Sequence, residues 1–308
     1  MSHKLRPHLA LIAVQLLFGI WPIFGKIVLR SVSPTTLVAF RLVGAAIAFA
    51  LLQRQLQPLL RMPRKDFLLL VLCSLTGVVG NQLLYVKALS LTTVINAALM
   101  TATIPVFTLL VSILFGYDHW SLKRLLGIML AGAGVVYLVN PARAELSAET
   151  TLGNLLLIAN ALLYAAYIVM SKRLFERYGA LNVITWIFLV SAMMMLPLGA
   201  YSLRSEDLGA ITWVVWLLIL LIILLPTLGA YYLNAWALTK MSPSTVAFYI
   251  YLQPLIAFGL APLLLGEQWN SRTGIATVLI FAGLGLVTSP GRSRAVREIS
   301  EHPDALAH

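Results

Sequence analysis

One cysteine, five histidines and eleven acidic residues among 308 positions leave this sequence poor in the groups that carry most protein chemistry. Cys73 has no second thiol to pair with, so no intrachain disulfide framework exists. Charged residues make up 11% of the chain, against roughly a quarter in an ordinary soluble domain, and that excludes an ordinary water-facing surface. No acid falls in the middle of an apolar run: Asp66, Asp118, Glu176, Asp207 and Glu267 all lie at run ends or in loops. His3, His8, His119, His302 and His308 lie outside run centres too. Intramembrane enzymes need buried acids, bases or metal ligands, and proton-coupled carriers commonly use a buried carboxylate or histidine. The pattern offers neither, nor a Gly-x-Ser-x-Gly, so no enzyme, metal or cofactor is expected. A cleavable signal is not expected either, since no small-residue site follows Lys4 and Arg6.

What the sequence has in excess is apolar surface. Sixty per cent of its residues are hydrophobic, more than a water-soluble core can hide, so lipid is the expected solvent. Runs of near-spanning length cover roughly 8–29, 35–53, 66–88, 92–116 and 121–140, then 151–172, 181–202, 210–237, 243–265 and 272–289. Ten spans put both termini on one face. Fifteen Lys and Arg fall on that face and five on the other (Arg30, Lys87, Arg143, Arg204 and Arg272), with Lys26 and Arg41 inside spans. The positive-inside rule then predicts cytoplasmic termini. It also reads the net charge of +11 as a topology signal rather than a nucleic-acid surface.

The sequence also repeats itself. ATIPVFTLLVSILFGYDHW (102–120) and YLQPLIAFGLAPLLLGEQW (251–269) each carry a proline within an apolar run and an acid two residues before a closing Trp. A shift of 149 lays 80–141 on 229–290 without a gap, matching Gly80/Gly229, Ala88/Ala237, Pro105/Pro254, Trp120/Trp269, Gly134/Gly283 and Pro141/Pro290. Five spans per half is an odd number, so the second half enters the membrane inverted. The expected fold is all-α: a membrane protein of ten transmembrane helices in two inverted five-helix repeats, an arrangement that carriers use for alternating access.

FGIWPIFGK in the first run and AFRL in the second resemble the EamA family of the drug/metabolite transporter superfamily. So do LLYVKALSLTTVINAALMTATIPVFTLL, the acidic turn after it and GIMLAGAGVVYL. The resemblance covers about residues 8–290 and implies one EamA-type repeat over 1–145, a second over 146–290 and a cytoplasmic tail over 291–308. Tyr117-Asp118 departs from the family's usual Gly-Glu, which Gly266-Glu267 keeps. The resemblance further implies a multi-pass carrier of the cell inner membrane, often an exporter, of amino acids and other small metabolites. Glutamate in the first helix marks the distantly related small multidrug-resistance proteins; AVQLLFGI offers only Gln15 there, which disfavours cation export by that route.

Polar residues inside spans are costly and locate candidate substrate contacts. Gln15, Gly19, Pro22 and Lys26 share one face of the first helix, and Asn160, Tyr164, Tyr167 and Ser171 repeat that spacing in the sixth. The third helix offers Asn81, Gln82 and Tyr85, the eighth Tyr231, Tyr232, Asn234 and Trp236, and the ninth Tyr249 and Gln253 before Pro254. Interhelical hydrogen bonding explains such stripes as well as substrate binding does. Arg41, seven residues into the second helix, has an apolar counterpart near Ile187; it either holds a planar oxyanion or snorkels to the near surface. The expected solute is small and amphipathic, an amino acid foremost. The alternative is an anionic or phosphorylated metabolite held by Arg41 with Lys26 or Lys87. A monomer and a homodimer both remain open.

Overall fold

The computed structural model describes residues 5–53, 62–92, 97, 100–139, 148–253, 255–256 and 271–288, and among them all regular structure is helical. In chain order the longer helices are α1 (Leu5–Val28), α2 (Pro34–Leu52), α3 (Arg64–Ser74), α4 (Gly80–Leu91), α5 (Ile104–Leu114) and α6 (Leu122–Val139). They continue with α7 (Ala148–Tyr178), α8 (Ala180–Leu203), α9 (Trp213–Ile222), α10 (Ala230–Leu238), α11 (Pro243–Phe248) and α12 (Ser271–Thr288). Six helical stretches are long and apolar enough to cross a membrane: Leu5–Val28, Pro34–Leu52, Arg64–Leu91, Thr151–Tyr178, Ala180–Leu203 and Trp213–Leu238. Their outward faces are apolar as well. Leu51 is 77% exposed, Leu68 65% and Met193 70%, a surface suited to acyl chains rather than water. Pro141, Pro254, Glu267, Trp269, Pro290 and the tail over 291–308 lie outside the described residues.

Pro105 does not break a helix, contrary to its mid-run position in the sequence. The chain turns at 102–103 and α5 begins at Ile104, so the proline occupies the first turn, where its missing N–H has no helical partner to lose. α2 starts in the same manner: Pro34 opens it, and the Ser33 hydroxyl accepts from the Thr36 N–H.

Two of the spans carry π-helical turns, at Leu75–Val79 between α3 and α4 and at Ile223–Gly229 between α9 and α10. A shift of 149 lays the first inside the second. The Gly80 N–H bonds the Leu75 carbonyl, five residues back. A Cβ on Gly80 would lie 2.9 Å from that carbonyl oxygen, and one on Gly229 3.3 Å from the Leu224 oxygen. The repeated glycine is therefore where a side chain would crowd the widened turn.

Packing pairs elements of one half with elements of the other. α2 lies along α8, α6 along α12, α4 along α7, and α1 along α10. At the helix ends, Asp66 accepts from Arg177 (2.8 Å) and from the Tyr178 hydroxyl (2.6 Å), while Glu206 accepts from the Ser33 N–H (2.8 Å) at the start of α2. Partial burial pushes the Glu206 carboxyl up, but hydrogen bonds from Ser33 and from the Thr36 hydroxyl outweigh it and hold it below the usual carboxylate range. A depressed folded pKa contributes stability above the unfolded value of about 4.3 and loses it as pH falls through the folded value. Glu206→Gln is expected to flatten the acid limb of the thermal midpoint measured in detergent. An unchanged slope from about pH 5 to pH 3 would remove Glu206 as its source.

Candidate functional site

α1, α2, α4, α7 and α10 meet around a cavity of about 540 Å³, open mouth included. The interior that a water-sized sphere can reach is about 70 Å³, below the roughly 300–1,000 Å³ of a fully preformed small-molecule pocket. Eight residues proposed from the sequence line it: Arg41, Asn81, Gln82, Tyr85, Asn160, Tyr164, Tyr231 and Gln253. Arg41, about 10 Å into α2 by helical rise, does not snorkel. It is 3% exposed, its guanidinium lies 4.0 Å from the centroid of the Trp21 ring, and its Nε donates to the Thr227 hydroxyl at 3.1 Å. Thr227 in turn donates to the Ile222 carbonyl at 2.8 Å, five residues back in the π turn.

The other polar groups brace the walls. The Asn160 side-chain amide donates to the Asn81 carbonyl at 2.7 Å, joining α7 to α4 just past the first π turn. The Tyr231 hydroxyl donates to the Gly77 carbonyl inside that turn at 3.3 Å. Each half thus sends one cavity side chain, Arg41 or Tyr231, onto the π turn of the other. Gln82 is 2% exposed; its amide lies close to the Tyr231 hydroxyl, yet neither amide atom meets hydrogen-bond geometry with a partner. Burying such a group without a partner is unfavourable.

The remaining proposed residues stand behind the lining. Gln15 accepts from Gln253 at 2.8 Å, Asn234 donates to the Tyr164 hydroxyl at 3.2 Å, and Tyr249 bonds the His8 imidazole. Tyr167 packs its ring into the space that Gly77 leaves open, 5.8 Å from the Tyr164 ring, and Trp236 packs into the core half-buried. Lys26 and Lys87 do not line the cavity; Lys26 is half-buried and Lys87 exposed.

Phe18, Trp21, Thr101, Ile104 and Ile250 also line it and were not singled out by sequence. The available signal was the spacing of three between Phe18 and Trp21, one face round from the polar stripe. That stripe has another use: a Cβ on Gly19 would lie 3.1 Å from Ile256 and 3.5 Å from the Gln253 carbonyl. It marks where α1 approaches the segment after Tyr251. Among the described residues no three His, Cys, Asp or Glu are grouped closely enough to hold a metal ion.

Comparison with known proteins places this chain among transporters. A family model described as the EamA-like transporter family matches residues 5–140 and 151–289. An uncharacterized transporter of Archaeoglobus fulgidus is 28% identical over 290 residues, spanning 92% of this chain and 98% of its own. A WAT1-related protein of Arabidopsis thaliana is 25% identical over 342 residues, spanning 99% of this chain and 88% of its own. A solved crystal structure with 20% identity, covering 93% of this chain and 97% of its own, shares the fold with a TM-score of 0.75.

Proposed function

The chain belongs to the EamA-like transporter family and is a multi-pass membrane transporter of small solutes; from that premise we propose that it exports amphipathic metabolites, amino acids foremost, across the cytoplasmic membrane. Ten spans in two inverted five-helix halves, 1–145 and 146–290, would rock about the cavity and open it to each face in turn. One observation carries this reading: an open cavity lined by Trp21, Tyr85, Tyr164 and Tyr231 and by Asn81, Asn160 and Gln253 receives its lining from both halves. The matching π turns and the cross-paired helices support the repeat. With no acid among the described residues that line the cavity, transport proceeds down the solute's own gradient.

A second reading, an anionic metabolite, is favoured by Arg41, which meets no carboxylate among the described residues.

The test is counterflow in proteoliposomes with labelled amino acids, with and without a pH gradient. Uptake driven by unlabelled solute inside, indifferent to pH, is expected. Silence from correctly inserted protein toward every amino acid would exclude the amino-acid reading. A reporter fused after His308 is expected to be active only in a format that senses the cytoplasm; a periplasmic signal would overturn the ten-span topology.

A further inference from the structure

We propose that the cavity selects solutes with one net negative charge on an apolar or aromatic body, an organic carboxylate in the simplest case. We propose too that the protein exchanges such anions faster than it releases them into anion-free medium. The inference rests on the transport reading above and deepens its second, anionic form in place of the amino-acid one.

Arg41 is the single charged residue among the described residues lining the cavity. No acid lies nearby in sequence: there is none before Asp66, between Asp66 and Asp118, or between Asp207 and Glu267. Four of the described acids near helix ends are otherwise engaged. Asp66 holds Arg177, Asp118 holds Arg124 and Ser112, Glu176 pairs with Lys172, and Glu206 takes the Ser33 N–H.

What surrounds the guanidinium supplies dipoles, not charge. Thr227 offers a hydroxyl oxygen and Trp21 the face of its ring. Of the five guanidinium N–H groups, Nε is committed to Thr227, and no other hydrogen bond from Arg41 is made among the described residues. The outer edge is thus unspent, and it has the fork geometry that binds a carboxylate through two parallel hydrogen bonds. The Gln82 amide adds an unspent donor and acceptor to the same cavity wall.

Charge accounting then separates solute classes. A monoanion brings the cavity to zero. A zwitterion leaves it at +1, with an ammonium group that finds no acid there, and an amine raises it to +2. Buried uncompensated charge is strongly disfavoured, more so at bilayer depth. The same accounting applies to the empty carrier. It must pass through its occluded form with a bare guanidinium, whereas the loaded carrier passes neutral. Return of the empty form is therefore the slow step, and an anion on the far side removes it.

A matched set on one skeleton tests this: phenylpyruvate (anion), phenylalanine (zwitterion) and phenethylamine (cation). In detergent, phenylpyruvate is expected to raise the thermal midpoint of the full chain at concentrations at least about tenfold below phenylalanine, equivalent to about 1.4 kcal/mol; phenethylamine is expected to do nothing. In proteoliposomes, efflux of labelled phenylpyruvate should accelerate on the order of tenfold when unlabelled phenylpyruvate is outside. Arg41→Gln should erase both preferences while still binding neutral phenylacetone. Arg41→Lys, which keeps a charge, should retain the order of preference with weaker binding, and it serves if the Gln variant does not fold. Equal or better competition by phenylalanine would overturn the charge selection, as would an Arg41→Gln protein that still prefers the anion. Efflux as fast without external anion as with it would overturn the exchange. A parent protein that moves phenylalanine and ignores phenylpyruvate leaves the transporter reading standing and removes this one. Binding of phenylpyruvate without movement of any solute removes the transport reading instead.

Discussion

Gly283→Val is expected to give no stable folded protein, while Gly285→Val, two residues further along α12, is expected to behave like the parent. A Cβ at 283 would lie 2.5 Å from the Gly127 carbonyl oxygen, 2.8 Å from the Ala131 Cβ and 2.9 Å from the Ala131 nitrogen. The reverse contact is as close: a Cβ on Gly127 would stand 2.9 Å from the Gly283 oxygen. Two of these obstacles are backbone and cannot rotate away, so α6 and α12 would have to separate. Lipid gives helices no hydrophobic reason to associate, and close backbone approach through small residues supplies the packing that replaces it. At 285 nothing stands within 4 Å of an added Cβ. Fluorescence-detected size exclusion of both variants, expressed side by side, reads the difference. A folded, monodisperse Gly283→Val protein would show that this crossing is not where α6 and α12 are held.

The second large effect is expected at Gly77→Ala. In the first π turn, an added Cβ would fall 2.1 Å from Cδ2 of Tyr167 and 2.2 Å from its Cγ, inside the ring. Tyr167 is 1% exposed, so the ring has no free space to swing into without displacing its neighbours. Overpacking of this kind costs about 1–3 kcal/mol and sometimes more. The displacement has a route to the cavity, because the Tyr167 ring sits against Tyr164, which lines it, and Tyr231 donates to the Gly77 carbonyl from the other side. Both a lower thermal midpoint and slower counterflow are therefore expected. Tyr167→Ala alone removes a buried aromatic and destabilises by about 3–5 kcal/mol. Gly77→Ala on top of it should add almost nothing, since the clash is gone, and the two effects should fall well short of additive. Additive losses would mean that the glycine serves the π turn itself rather than the ring.

Both predictions concern contacts that sequence reading places only in part. GIMLAGAG shows small residues spaced four apart, and Gly283 matches Gly134 in the repeat, yet neither fact names Gly127 as the partner. Gly80 and Gly229 stand out as a repeated pair, but a π turn has no signature in hydropathy, so the reason for the pair appears only when Gly80 is seen to bond Leu75. The site shows the same division. Asn81, Tyr85, Asn160, Tyr164 and Tyr231 were legible because polar atoms in a span demand partners. Phe18 and Trp21 were not, because an aromatic residue in an apolar helix is unremarkable from its sequence. Tyr167, Asn234 and Tyr249 carry the same chemistry as the lining residues, and they sit one layer behind it.

By itself the sequence determined the membrane environment, the helical class and the approximate bounds of six spans, and it shows a self-match at a shift of 149. These follow from local quantities: the length of apolar runs, the placement of charge and the spacing of Pro, Gly and Trp. Only the tertiary structure decided which way each helix is turned. In water a helix announces its inner face by amphipathicity, but in lipid both faces are apolar, so rotation about the axis is set by packing against neighbours. That is why the stripe from Gln15 to Lys26 did not turn out to line the cavity. It is also why Arg41, written in the sequence as either a snorkel or an anion clamp, rests on Trp21 and Thr227 with its outer edge unspent.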